Sequence, residues 1–372
     1  MHRIKLYLIA GEASGDMHAS NMMREMLKED ASLQFRFWGG DKMSEVQKDG
    51  LVRHIRDLAF MGFWEVIMNL RTISKNIAFC KKDIEKYAPD ALVLVDYPGF
   101  NLRIAKWAKS KGIKVYYYIS PQVWAWKQSR VKQIKTVVDQ MYVILPFEKK
   151  FYKKFDYDVD YVGHPLLDEI AKYSFENKSD FHKRNGLDNR PIIAILPGSR
   201  KQEISKKLPV MLKAAKDFTS HQIVVAGAPS LNPDFYSSYN SNAKIIYNQT
   251  YALLTNADAA VVTSGTATLE TALFRVPEVV CYRSSRFSYF IAKQLIKVKF
   301  ISLVNLIMDE QVVKELIQKE CNPVRIKAEL DRLLNDQEYR SALMVNYEKL
   351  ENILGGGGAS RKVAQSLLKT IG

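Results

Sequence analysis

Four short stretches of this 372-residue chain carry side chains able to do chemistry. In LVLVDYPGFN, Leu92 to Asn101, an apolar run ends in one carboxylate, Asp96. The run does not alternate, so it reads as a strand buried on both faces, and Pro98 and Gly99 break it before a helix that ends at Gly112. Asp96 therefore stands at the carboxyl end of a strand, where open α/β sheets gather their ligands. A turn or helix-cap role fits the same position equally well. In LPGSRKQEI, Leu196 to Ile204, a buried strand ends in Pro-Gly, and Ser199 and Arg200 open toward a helix. Free amides, a hydroxyl and a guanidinium at a helix start suit a diphosphate. A capping box of Ser199 with Gln202 can coexist with that role.

TSGTATLE, Thr263 to Glu270, repeats the logic. Gly265 with Thr263, Ser264 and Thr266 can cradle phosphate oxygens, and Glu270, one turn into the helix, can accept both hydroxyls of a ribose. GEASGD supplies Gly11, Glu12, Ser14, Gly15 and Asp16 between the first strand and the first helix. It offers a close backbone approach and helix-start amides to an anion, or a tight turn capped by Ser14 or Asp16. It is not GxGxxG, so the dinucleotide fingerprint is absent. FDYDVD, Phe155 to Asp160, contains a DxD pair of the kind that chelates a divalent ion. It lies between a basic helix and a strand, so it reads as a solvated turn and no metal site is expected.

The elements that must position these residues alternate strand and helix. IKLYLIA, FRFWGG, ALVLVD, KVYYYIS, QMYVILP and VDYVGHP are the strands of a first unit. A polar stretch from Lys172 to Arg190 reads as a junction. The pattern restarts with PIIAILPGSR, HQIVVAGAP, KIIYN, the run before TSGTATLE, and PEVVCYR. This alternation predicts an α/β protein of two doubly wound, Rossmann-like domains facing across a cleft, with a helical C-terminal segment. The expected boundaries are 1–171, 172–345 and 346–372, the last packing back on the first domain.

Two aromatic stretches are ambiguous. AFMGFWEVIMNL, Ala59 to Leu70, puts Phe60, Phe63, Ile67 and Leu70 on one helical face, which Met61, Trp64 and Met68 widen. Arg71, Lys75, Lys81 and Lys82 follow. A buried core helix and an interfacial membrane helix both fit. SPQVWAWKQSR places Trp124 and Trp126 two apart, so they cannot share a helical face. At least one is expected to line the cleft or pack on the neighbouring domain.

A net charge of +15 favours an anionic partner, but the basic residues are scattered and no nucleic-acid-binding motif accompanies them. Cys80, Cys281 and Cys321 are an odd number at wide spacing, which fits a reducing cytoplasm rather than a disulfide framework. The amino terminus reaches Gly11 and Glu12 too soon for a signal peptide, and no apolar run approaches the ~18 residues of a membrane span.

Taken together, GEASGD, VDYPGFN, YYISPQVWAWKQSRVKQI, LPFEKKFY, VGHPL, LPGSRKQEI, SGTATLETAL, SLVNLI and KELIQKEC resemble the lipid-A-disaccharide synthase family, glycosyltransferase family 19, in the family's order along nearly the whole chain. One departure is DYPGFN, where relatives often carry a second acid after the proline and this chain has Gly99. The resemblance implies a GT-B fold and transfer of 2,3-diacylglucosamine from UDP to 2,3-diacylglucosamine 1-phosphate, giving a β-1,6 disaccharide and UDP. It implies Asp96 as general base, the loops at Ser199–Arg200 and Ser264–Thr266 with Glu270 as the UDP site, and Asn305 and Gln318 near that donor. GEASGD and Trp124 would serve the acceptor, and Phe60, Met61, Phe63, Trp64 and Ile67 an acyl chain or anionic inner-membrane surface. No metal, no cofactor and no nucleic acid is implied. The chain would be cytoplasmic and peripheral on the inner membrane, and a homodimer is left open. A UDP-sugar 2-epimerase would use a similar fold without the apolar stretch. An RNA-binding protein would need no paired phosphate loops.

Overall fold

A computed structural model describes residues 3–58, 70–239, 242–284 and 298–371. The chain divides into two compact units, one of residues 1–171 with 355–372, the other of residues 172–354.

In the first unit the strands are β1 (Lys5–Ala10), β2 (Gln34–Gly39), β3 (Leu51–His54), β4 (Ala91–Val95), β5 (Lys114–Tyr118), β6 (Gln140–Val143) and β7 (Asp160–Tyr161). They form one parallel sheet in the order β3-β2-β1-β4-β5-β6-β7. All five residues of β4 are buried, because helices cover both faces. Tyr7, Ile9, Leu92 and Leu94 pack into one core layer, and Leu6, Leu8, Val93 and Val95 into the other. Such unbroken apolar runs are what a two-sided parallel sheet requires. The order reverses direction between β1 and β4, so the crevice outside their carboxyl ends is the switch point of the sheet. Gly11 and Asp96 follow those two strands directly.

The second unit repeats the design with β8 (Ile192–Leu196), β9 (Gln222–Gly227), β10 (Lys244–Tyr247), β11 (Ala257–Thr263), β12 (Glu278–Tyr282) and β13 (Lys314–Ile317). Their order is β10-β9-β8-β11-β12-β13, again parallel. Here the switch point lies between β8 and β11, whose carboxyl ends lead into LPGSR and TSGT.

Position 346 lies inside the continuous helix Gln337–Leu354, and the chain leaves the second unit only at Gly355. Gly355, Gly356 and Gly358 all take positive φ there, a turn that side chains resist. The last helix, Ala359–Ile371, buries Ala359, Val363, Ala364 and Leu367 against the first sheet's second core layer. Asp168 accepts the Gly358 and Ser360 amides and so holds the start of that helix.

Glu278, at the start of β12, is fully buried, and neither carboxylate oxygen has a hydrogen-bond partner among the described residues. Burial raises its pKa well above the usual carboxylate range. Above about pH 4.5 the unfolded chain releases this proton while the folded chain must keep it, so stability contributed here falls as pH rises. Glu278→Gln should therefore melt several degrees above the parent at pH 8. At pH 4 the two melting curves should coincide; an equal difference at both pH values would count against a buried neutral acid.

Candidate functional site

The loops at the second switch point enclose a cavity of about 500 Å³. Its walls include Gly198, Ser199, Arg200, Glu203, Thr263, Ser264, Gly265, Thr266 and Glu270. Two loops far apart in sequence thus meet, because β8 and β11 are neighbours in the sheet. Gly198 has φ +106° and Gly265 φ +145°, conformations in which a side chain is strained. A Cβ on Gly265 would meet nothing within 4 Å, so the backbone there faces open space.

The helices after these loops start without side-chain caps. Arg200, not Ser199, is the cap residue of the helix Lys201–Ala215, so the alternative capping box does not form. Gly265 occupies that place before the helix Thr266–Leu273. The nearby hydroxyls are used elsewhere: Ser264 Oγ donates to the Ile301 carbonyl at 2.8 Å, and Lys207 Nζ donates to Thr263 Oγ1. Helix-start amides without a side-chain cap, beside the exposed hydroxyl of Ser199 and the guanidinium of Arg200, are groups able to donate to an anion. Glu270 stands one turn deeper, with no hydrogen-bond partner among the described residues, and burial pushes it up to about 7. A bound diol would supply the donors its carboxylate lacks.

Neither Asn305 nor Gln318 lines this cavity. Asn305 is fully buried; its Nδ2 donates to the Val313 carbonyl and Glu315, and its Oδ1 accepts the Val312 and Val313 amides, all within 2.8–2.9 Å. Gln318 exchanges hydrogen bonds with the Ser284 amide at 3.2 Å and hydroxyl at 3.1 Å. Both side chains tie loops at the edge of the sheet. Sequence reasoning passed over Glu203, Thr250, the Ala226–Pro229 wall and Lys207. A lysine among Ile204, Leu208 and Met211 interrupts an apolar helix face, which was the available signal for Lys207.

In the first unit Asp96 and Tyr97 both adopt left-handed backbone, φ 46° and 50°, a conformation that costs of order 1 kcal/mol or more per residue. The Asp96 carbonyl accepts from Asn101 Nδ2 at 2.7 Å and Tyr117 Oη at 2.5 Å, which holds that conformation. Asn101 also reaches the carbonyls of Ile9 and Val95 at 3.3 Å, joining the ends of β1 and β4. The Asp96 side chain is left free of the cap role: the helix Pro98–Ser110 has Tyr97 as its cap residue and no side-chain cap bond. Burial, with the charge of Glu12 beside it, raises Asp96 to about 6, opposed by the Tyr97 amide. Gly11 is required here, since a Cβ would fall 2.3 Å from the Tyr97 ring.

Other residues of the first unit have structural occupations. The buried Asp16 carboxylate accepts the Gly40, Lys42 and Met43 amides at 2.6, 3.0 and 3.1 Å, anchoring the helix Asp41–Val46. Ser14 is exposed on the first turn of the helix Ala13–Glu29, and Gly15 is buried against β1 and β4. Trp124 is buried and donates Nε1 to Glu148 at 3.1 Å, so it belongs to the core; Trp126 is the exposed one, with Arg130 5.2 Å over its ring. In FDYDVD, Asp156 takes φ 52° in a turn and exposed Asp158 pairs with Lys153 at 2.9 Å. Among the described residues no cluster of three His, Cys, Asp or Glu side chains could hold a metal. No described helix is long and apolar enough to cross a membrane. Phe60, Met61, Phe63, Trp64 and Ile67 lie outside the described residues.

A family model described as lipid-A-disaccharide synthetase matches residues 6–368. The chain belongs to that family. Lipid-A-disaccharide synthase of Trichlorobacter lovleyi is 39% identical over 99% of this chain and 97% of its own length. That of Syntrophus aciditrophicus is 40% identical over 98% and 97%. Among solved structures, UDP-GlcNAc 2-epimerase from Neisseria meningitidis, bound to UDP-GlcNAc, superposes with a TM-score of 0.69 at 16% identity, covering 98% of this chain and 100% of that one. The calicheamicin glycosyltransferase CalG4 gives 0.59 at 14%, covering 99% and 98%. At such identities the likeness is one of fold, and the fold is GT-B. The epimerase alternative gains nothing from it, since an epimerase and a glycosyltransferase share the same scaffold.

Proposed function

We propose that this chain is an inverting glycosyltransferase of lipid A synthesis. It would transfer 2,3-diacylglucosamine from UDP-2,3-diacylglucosamine to 2,3-diacylglucosamine 1-phosphate, releasing UDP and the β-1,6 disaccharide 1-phosphate. The observation that carries this reading is membership of the lipid-A-disaccharide synthetase family along residues 6–368. An α-linked donor giving a β-linked product needs one displacement. The acceptor's 6-hydroxyl oxygen attacks the anomeric carbon, its proton passes to Asp96, and the bond to the UDP oxygen breaks. A partly buried carboxylate with a pKa near 6 is ionised at neutral pH yet basic enough to take that proton. Charge growing on the diphosphate meets Arg200, Ser199 and the uncapped amides at Thr266, while Glu270 takes the ribose.

The test is UDP release by the full chain. It should require both the acylated donor and the acylated monosaccharide phosphate, and should continue in the presence of a metal chelator. Turnover of the donor alone, with inversion at its C2, would instead indicate the epimerase reaction. The sequence around Phe60 to Leu70, with Arg71 and Lys75 after it, supports a peripheral seat on an anionic membrane surface, where the acyl chains stay out of water.

The hydrogen bond from Tyr117 to the Asp96 carbonyl makes a milder prediction. Tyr117→Phe should lower kcat about threefold to tenfold by loosening the base, with UDP affinity unchanged. An unaltered kcat would show that the backbone at Asp96 holds without it.

A further inference from the structure

Lys207 lies on the helix Lys201–Ala215 with its side chain 3% exposed. Lysine is almost never buried so fully without a reason for its charge. Its ammonium donates to Thr263 Oγ1 and stands 3.4 Å from Glu203 Oε2. It also lies 3.9 Å from where a Cβ on Gly198 would stand. Thr263, Glu203 and Gly198 all line the cavity; Lys207 does not. The charge therefore sits immediately behind the wall formed by both phosphate loops. It is on the helix that follows β8 and grips the end of β11, so it staples the two loops together. Glu203 lies between this buried cation and the exposed Arg200, whose Nη1 is 3.5 Å away.

We propose that Lys207 is a positioning residue for the donor's diphosphate: it fixes the two loops and places a poorly screened positive charge beneath them. This rests on the reading of the cavity as the UDP site. Methionine keeps an unbranched chain of similar length and removes only the ammonium, so the substitution separates the charge from the buried stem. Opposite charges interact several times more strongly across protein than across water, and salt screens them less. A nucleoside without phosphates should be indifferent to Lys207, whereas loss of a merely structural side chain would weaken nucleoside and nucleotide alike.

The experiment titrates UDP and uridine into wild type, Lys207→Met, Glu203→Gln and the double variant. Lys207→Met should lose about tenfold or more in UDP affinity, with uridine affinity within about twofold. Adding Glu203→Gln should recover part of the loss, because it removes a carboxylate that Lys207 no longer offsets. Wild type that fails to bind UDP would overturn the reading of the cavity. Wild type that binds UDP, beside a folded Lys207→Met with an unchanged UDP-to-uridine ratio, would overturn the role of Lys207 alone. If Lys207→Met does not fold, Glu203→Gln decides: its side chain is 39% exposed, and UDP should bind severalfold more tightly. Unchanged or weaker binding there would also overturn the proposal.

Discussion

Asp96→Asn is expected to lose about 10²- to 10⁴-fold in turnover while binding UDP as the parent does. The amide is isosteric, and the backbone of residue 96 is held by Asn101 and Tyr117 through its carbonyl, so the local structure should survive. What disappears is the carboxylate proposed to take the proton of the attacking hydroxyl. The pH dependence gives the same conclusion a second readout. Burial and the neighbouring Glu12 disfavour the charged form and raise Asp96 to about 6. Turnover should therefore rise with pH through about 6 and level off above it, since only the carboxylate accepts a proton. The residual activity of Asp96→Asn should lack that step. Near-parental turnover would return Asp96 to a structural role at the end of β4.

Arg200→Ala and Glu270→Ala should each weaken UDP binding about tenfold to a hundredfold, the range for hydrogen bonds to charged groups. The two losses have different signatures. Arg200 is exposed at the cavity mouth and would meet the diphosphate, so its effect should be absent for uridine and should shrink as salt rises. Glu270 has no hydrogen-bond partner among the described residues and is raised to about 7 by burial, so it would gain hydrogen bonds from the ribose, and uridine should feel its loss as UDP does. It should also bind ribose best once ionised, above about pH 7. Calorimetric titration of both variants with both ligands separates these patterns. Equal UDP affinity in parent and variants would remove the donor from this cavity.

The doubly wound units were legible because strand and helix periods alternate cleanly and because β4 and β8 are unbroken apolar runs. Two strands were not. β3 and β13 are short edge strands, LVRH and KELI, only partly buried, so neither presents an apolar run or a strict alternation. The loops at Ser199–Arg200 and Ser264–Glu270 could be placed because strand, glycine, hydroxyl and helix follow one another locally. Asp16, Trp124 and Asn305 show the limit of that method. Each is polar or aromatic in a suggestive motif, but each points at its own protein: Asp16 at three amides, Trp124 at Glu148, Asn305 at the Val312–Val313 backbone. A sequence shows that a side chain can bond without showing what faces it. Cys281 and Cys321, widely spaced in sequence, are likewise neighbours in the fold, both buried and free.

The most direct measurement of the proposed reaction is the anomeric configuration of its product. The full chain is supplied with UDP-2,3-diacylglucosamine and 2,3-diacylglucosamine 1-phosphate, and the purified disaccharide is examined by proton NMR. A single displacement assisted by Asp96 predicts a β linkage to the 6-position, formed mole for mole with UDP. An α linkage, or UDP released with no disaccharide, would contradict it.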